Sequence, residues 1–233
     1  MAKIVARNVK IISAGKDLSG QYNNSVLTLS AEAPEVTSYG NDSRQRLAGG
    51  IRDIELTIDG FYNDSASSTD ATFRELTAAS VLTTFFPRGY TASMPAYQLA
   101  GIVTQYEANF PIEDAATISA TISGSGCTRG KSLGYISDSA GSTTGCTVDF
   151  TATDDNTVYY QVHYLTMPTN ISACIQHSTD DVTYSTAEVI TAVTASGIAV
   201  SGSLTSANRY RRLRYAYVGG TGVVVASISG SSV

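Results

Sequence analysis

The sequence predicts a mainly β protein, a β-sandwich or partial barrel carrying one α-helix and followed by a second, small β-sandwich. Three observations lead there. Apolar and polar residues alternate with period two through much of the chain, as half-buried strands require. Charged residues make up only 15%, Trp is absent and Gly contributes 20 residues, a composition suited to strands and turns rather than long helices. A single segment carries helical periodicity.

Taken in order, Ser25 to Ala31 places Leu27, Leu29 and Ala31 on one face of a strand. The stretch from Val36 to Gly50 is polar and Gly-ended, too long for a tight hairpin, and is a candidate contact loop. From Ile51 the run IRDIELTIDGFY alternates cleanly. Ile54, Leu56 and Ile58 point one way, and Asp53, Glu55, Thr57 and Asp59 point the other, which gives a strand with an acidic outer face. Thr72 and Glu75 have capping-box spacing, and Phe73, Leu76, Ala79 and Leu82 recur near the helical period until Phe85, Phe86 and Pro87 stop it. Ala100 to Phe110 then sets Ile102, Thr104, Tyr106, Ala108 and Phe110 on one side, and Ala116 to Ser123 alternates Ile118, Ala120 and Ile122 with Thr117, Ser119 and Thr121.

Between Gly124 and Gly145 the chain turns to Gly, Ser and Thr and offers little to bury, so a domain boundary is expected there. Residues 1–126 form the first domain, 127–145 a linker and 146–233 an outer domain. Alternation resumes with Cys146, Val148 and Phe150, continues through Val158 to Tyr164, Ile171 to Ile175 and Leu213 to Tyr217, and ends at Val223 to Ile228, short strands of a small β-sandwich.

Charge and cysteine content exclude several classes. Lys and Arg number 15 against 20 Asp and Glu, a net charge of −5 that disfavours sequence-specific nucleic-acid binding, where cations supply much of the affinity. Lys3, Arg7 and Lys10 interrupt the amino-terminal apolar residues, so a secretory leader is not expected and the chain is expected to start in the cytoplasm. No apolar run approaches the roughly 20 residues a spanning helix needs, and no membrane insertion is expected. Cys127, Cys146 and Cys174 lack metal-site spacing, which favours reduced thiols over a Cys127–Cys146 bridge.

Catalytic constellations are missing. SGCTRGKS, Ser125 to Ser132, ends like a phosphate-binding loop, but Ser stands where the first Gly belongs and a Gly/Ser/Thr segment follows instead of a helix. His163 and His177 lie near no nucleophile elbow and read as surface residues. The acidic pairs Glu113–Asp114, Asp154–Asp155 and Asp180–Asp181 are adjacent and would diverge on a strand, and none has EF-hand spacing. No catalytic residue, cofactor or metal is therefore expected.

Two charged features stand out. Asp53, Glu55 and Asp59 line one strand face, either as an ordinary solvated face or as a repeated acidic surface if subunits form a ring. NRYRRLRYAY gathers Arg209, Tyr210, Arg211, Arg212 and Arg214, either as charges guarding an edge strand or as a binding surface.

Residues 10 to 127 resemble the tail tube (major tail) proteins of long-tailed bacteriophages of the siphovirus type. The stretch EVTSYGNDSRQRLAGGIRDIELTIDGFYND carries the likeness. A strand leads through a loop of the form T-x-x-G-x-x-x-R, here Thr37, Gly40 and Arg44, into a Gly-led strand from Gly49 and Gly50 that ends at Gly60 and Phe61, and then into the helix. ATISATISGSG resembles the family's final core strand. The part after the linker resembles the Ig-like outer domains that some tail tubes carry, and its HSTDDVTYST and NRYRRLRY segments also resemble galactose-binding-like modules.

The resemblance implies a structural virion protein, not an enzyme, forming homohexameric rings stacked into the conduit for DNA ejection. Asp53, Glu55 and Asp59 would then face the lumen, and the loop with Thr37, Gly40, Arg44, Arg46 and Gly49 would reach the next ring. Implied partners are further copies of the chain, the tape measure, tail terminator and distal tail proteins, and phage DNA passing without specific binding. The location implied is the virion tail, assembled in the host cytoplasm. The second reading is a soluble carbohydrate-binding adhesin or decoration module whose Arg209, Tyr210, Arg212 and Arg214 contact host-surface glycans.

Overall fold

The computed structural model describes residues 8–33, 35, 52–65, 68–74, 76, 80–138, 141–150, 157–166, 171–193, 195–205, 208–217 and 222–229. Its elements begin with β1 (Lys10–Ser13), β2 (Lys16–Asp17), β3 (Tyr22–Ala31), β4 (Arg52–Phe61), α1 (Thr69–Phe73), β5 (Val81–Phe86), β6 (Pro95–Asn109) and β7 (Thr117–Asp138). They continue with β8 (Gly141–Thr144), β9 (Val148–Asp149), β10 (Thr157–Thr166), β11 (Ile171–Ser178), β12 (Ser185–Val193), β13 (Ile198–Thr205), β14 (Tyr210–Tyr217) and β15 (Gly222–Ser229). The fold is almost entirely antiparallel β, with one short helix among the described residues.

The long β6–β7 hairpin organises a ten-stranded sheet that curls into a half-barrel. The first half of β7 pairs with β4, and β4 with β3. Its second half pairs with β15, which leads to β10 and β13. The first half of β6 pairs with β5, and through it with β1 and β2. Strands β12, β11, β14, β8 and β9 form a second, five-stranded sheet.

Three cores follow from this layout. Ile54, Leu56 and Ile58 of β4, Ala120 and Ile122 of β7, Val103 of β6, Ile11 and Leu18 close around Phe73 of α1. The C-terminal strands enclose a sandwich core in which Val158, Tyr160, Val162 and Tyr164 of β10 meet Ile171, Ile175, Leu213 and Tyr215 of the smaller sheet. Ile12, Phe86, Ala96 and Val225 fill the space between them inside the half-barrel. β15 is consequently buried on both faces, with Val224, Ala226 and Ile228 toward the sandwich and Val225 toward the half-barrel.

Several expectations are corrected. Residues 127–138, expected as linker, are the second half of β7, and β8 spans Gly141–Thr144 of the same stretch. Their small residues serve close packing. A Cβ on Gly130 would lie 2.3 Å from the Ile228 carbonyl oxygen, and Gly134 takes φ +98° where the β7–β15 register shifts.

The helix starts earlier and is shorter than its periodicity suggests. Ser68 is the N-cap, its Oγ accepting from the Ala71 N–H, while Leu82, Phe85 and Phe86 belong to β5. On β6 a bulge at Thr104 reverses the alternation. Val103 and Tyr106 both pack on the core and Ile102 is 44% exposed, so the face expected from period two is split.

His163 is fully buried rather than superficial, because β5 packs across the face of β10 that carries it. The arginine-rich β14 is no edge strand either, since it pairs with β11 on one side and with β8 and β9 on the other.

Candidate functional site: an acidic, hydroxylated sheet face

The alternation of β4 does what its sequence asks. Ile54, Leu56 and Ile58 are 5%, 0% and 0% exposed, and Asp53, Glu55, Thr57 and Asp59 stand on the opposite face. Register extends that face across four strands, in the order β3, β4, β7 and β6. Asn24, Asp59, Ser119 and Glu107 form one cross-strand row, Val26, Thr57, Thr121 and Gln105 the next, and Thr28, Glu55, Ser123 and Ile102 a third.

Hydroxyls and amides tie the rows together. Asp59 accepts from Asn24 Nδ2 at 3.0 Å and from Ser119 Oγ at 2.7 Å, and Thr104 Oγ1 lies 3.1 Å from Ser123 Oγ. The Asp53 carboxylate accepts from the Ile54 N–H at 2.8 Å. Segments 22–31, 53–61, 101–109 and 117–124 contain no Lys or Arg, so within these bounds the face presents carboxylates and hydroxyls, and Arg52, the first residue of β4, lies just outside them.

Glu107 is a member that sequence reading missed. It lies in the same row as Asp59, and only the shared partner Ser119 and the Thr104 bulge put it there.

The reverse side is held by α1. Tyr106 donates to Asp70, Thr69 binds Gln21 Oε1 through its N–H at 2.7 Å, and Lys16 Nζ donates to the Ala71 carbonyl at 3.4 Å. Burial and the Asp70 carboxylate both push the Tyr106 phenol up from its ordinary pKa.

Both borders of this four-stranded unit are open among the described residues. β3 pairs with β4 alone, and residues 102–109 of β6 pair with β7 alone. Leu29 on β3 is 53% exposed and Ile102 at the other border 44%. An unpaired strand of this kind is a template for another chain.

The other expected residues fall elsewhere. Thr37, Gly40, Arg44, Arg46 and Gly49 lie outside the described residues. On the smaller sheet, period two puts Tyr210, Arg212 and Arg214 on one face of β14, with Arg211 turned inward and 1% exposed. Several of these cations are held by the protein. Arg209 grips Asp149 at 2.6 and 2.5 Å, which raises its pKa. Arg212 stacks 3.6 Å over the Tyr184 ring and donates to Gln176 Oε1 at 2.9 Å, and Arg211 lies 4.5 Å over Phe150.

In the segment resembling a phosphate loop, Lys131 Nζ donates to the Asp149 carbonyl at 2.6 Å from within a strand. No helix among the described residues is long and apolar enough to cross a membrane.

The sequence matches no protein-family model and no curated protein. Among solved structures it is similar to the tail of an empty gene transfer agent particle with C6 symmetry, at 15% identity and a TM-score of 0.44, over 54% of this chain and 96% of that one. It is similar to the SPP1 tail tube at 11% identity and a TM-score of 0.46, over 55% and 78% of the two chains. SPP1 Dit, described as a hub adsorption protein of phages infecting Gram-positive hosts, is matched at 11% identity and a TM-score of 0.38, over 94% and 98%.

Proposed function

We propose that the chain is a structural phage-tail protein that closes edge to edge into six-fold rings, stacked into a tube through which DNA leaves the particle. The observation that carries this reading is the four-stranded acidic face with an open strand at each border. Going from β3 to β4, β7 and β6, strand direction alternates, so β3 and β6 run in opposite directions. Copies related by rotation can therefore set β3 of one against β6 of the next and remain antiparallel all round, a head-to-tail interface that closes. Closure removes both edges, as a barrel does.

In that ring α1 and its core lie on one side of the wall and Asp53, Glu55, Asp59 and Glu107 on the other. We assign the carboxylate side to the bore. Like charge lowers the affinity of DNA for such a surface, since adsorption depends on cations that displace counterions. The resemblance of residues 10 to 127 to tail tube proteins gives the ring its setting. The loop with Thr37, Gly40, Arg44, Arg46 and Gly49 is assigned to contact between rings, and the C-terminal β-sandwich to the outside of the wall. There the face with Tyr210, Arg212 and Arg214, beside Arg209, is assigned to contact with tail or host-surface partners.

Hydrogen exchange on dilute and assembled protein tests the closure. Amides of Ser25 to Ala31 and of Ile102 to Asn109 should exchange at least tenfold more slowly after assembly. Unchanged exchange on both borders in assembled material would refute it.

A further inference from the structure

We propose that the mouth of the half-barrel is a binding site for a small neutral, polyhydroxylated ligand, a single sugar ring. The cavity measures about 290 Å³ and opens between β6, β7, β10 and β13. It is distinct from the acidic face and does not depend on ring assembly.

Its chemistry is uniform. Gln98, Thr128, Tyr159, Gln161, Ser201 and Ser203 supply carboxamides and hydroxyls from all four strands, and no charged side chain is among the described lining residues. A bound anion or cation would lose its hydration without gaining a counter-charge, which selects an uncharged ligand. The volume lies at the low end for ligand pockets, about ten waters' worth, which suits one ring rather than a peptide or an oligosaccharide. Tyr159 is 39% exposed at the rim and offers an aromatic face to the C–H side of such a ring.

The floor is built rather than accidental. Gln98 and Gln161 are 2% and 4% exposed. Gln161 Nε2 donates to the Leu99 carbonyl at 3.2 Å, and its Oε1 accepts from Thr84 Oγ1 at 2.7 Å, so its amide is fixed at both ends. Gln98 is fixed at one end only. Its Nε2 lies 3.0 Å from Ser227 Oγ and its Oε1 has no partner, an unmet hydrogen bond at the base of the cavity. Turning the amide over merely exchanges which end is unmet. That oxygen is closed to solvent in this conformation, so a ligand hydroxyl meets it only as the carboxamide turns about χ3, a torsion with a broad minimum, and Nε2 moves relative to Ser227 Oγ.

Saturation-transfer NMR on the full chain tests this with galactose, glucose and N-acetylglucosamine, each beside its methyl glycoside and with glucuronate as the charged control. At least one neutral sugar should bind with a Kd on the order of 1 mM, as expected for so small a contact. Tyr159→Ala should weaken it at least fivefold, and Ser203→Trp, a change at an exposed rim position, should abolish transfer with an unchanged thermal melt. Glucuronate should bind at least tenfold more weakly. Methyl glycoside binding equal to that of the free sugar identifies a glycan terminus as the source, and loss on methylation identifies a free sugar. Absence of transfer from all three neutral sugars to folded protein overturns the proposal, as does transfer that survives both substitutions or glucuronate binding equal to that of the neutral sugars.

Discussion

At the residue scale, the buried contact between β5 and β10 decides the protonation of His163. Thr84 has one hydroxyl proton, and Gln161 Oε1 can only accept, so that proton goes to Gln161. His163 Nε2, 2.8 Å from Thr84 Oγ1, must then donate, which leaves Nδ1 bare and without a partner. Protonating Nδ1 would bury an uncompensated cation, and burial accordingly holds the ring's pKa down at about 3. Because this folded value lies below the unfolded one, the unfolded chain takes up the proton first as the solution is acidified. Stability is thus intact above pH 6.5 and declines from there toward pH 3. The loss attributable to this one ring between pH 7 and pH 5 is about 2 kcal/mol. Urea midpoints at the two pH values should shift less in His163→Gln than in the parent chain, and equal shifts would show that the ring is charged when folded. Asp180 does not blur the comparison. Its carboxylate accepts from Ser178 and from the N–H groups of Thr183 and Val182, which hold its pKa near 2, so its contribution is lost only below about pH 4.

At the element scale, what the sequence discloses is what neighbouring residues decide among themselves. The alternation in Ile54 to Asp59 and in Ile118 to Ile122 depends only on the pleat, and both strands lie as their pattern requires. β7 beyond Gly124 is a different case. Its run of Gly, Ser and Thr matches a linker in composition, and its true reason lies across the ladder, where the backbones of β6 and β15 come too close for larger side chains. Gly130→Val tests that reason directly. A side chain driven against the Ile228 carbonyl should cost about 1–3 kcal/mol, read as a lower urea midpoint, whereas a linker residue would tolerate the change. The Thr104 bulge, which moved Val103 and Tyr106 onto one face, adds a single residue that no period-two template registers. The interior place of β14 and the burial of His163 were illegible for a related reason: both depend on which strands lie alongside or opposite, and that is a property of topology.

At the scale of the whole molecule, the acidic face was legible as three carboxylates on β4, but its extent was not. Register brought Glu107 into the same surface and showed that segments 22–31, 53–61, 101–109 and 117–124, which build it, hold no Lys or Arg. Under the proposed ring, that asymmetry has a consequence for transport. Replacing Asp53, Glu55 and Asp59 together with Lys should slow or arrest DNA ejection from particles carrying the variant, followed as dye fluorescence on released DNA, because a basic bore would hold phosphates. Unchanged ejection through intact tubes would remove the carboxylates from the bore. Ring closure comes before all of this, and negative-stain electron microscopy of the purified chain at rising concentration, with size-exclusion chromatography alongside, tests it most directly. The account predicts hollow six-fold rings that stack into tubes. A chain that stays monomeric at every concentration, even when isolated tail tips are supplied as nuclei, would contradict it.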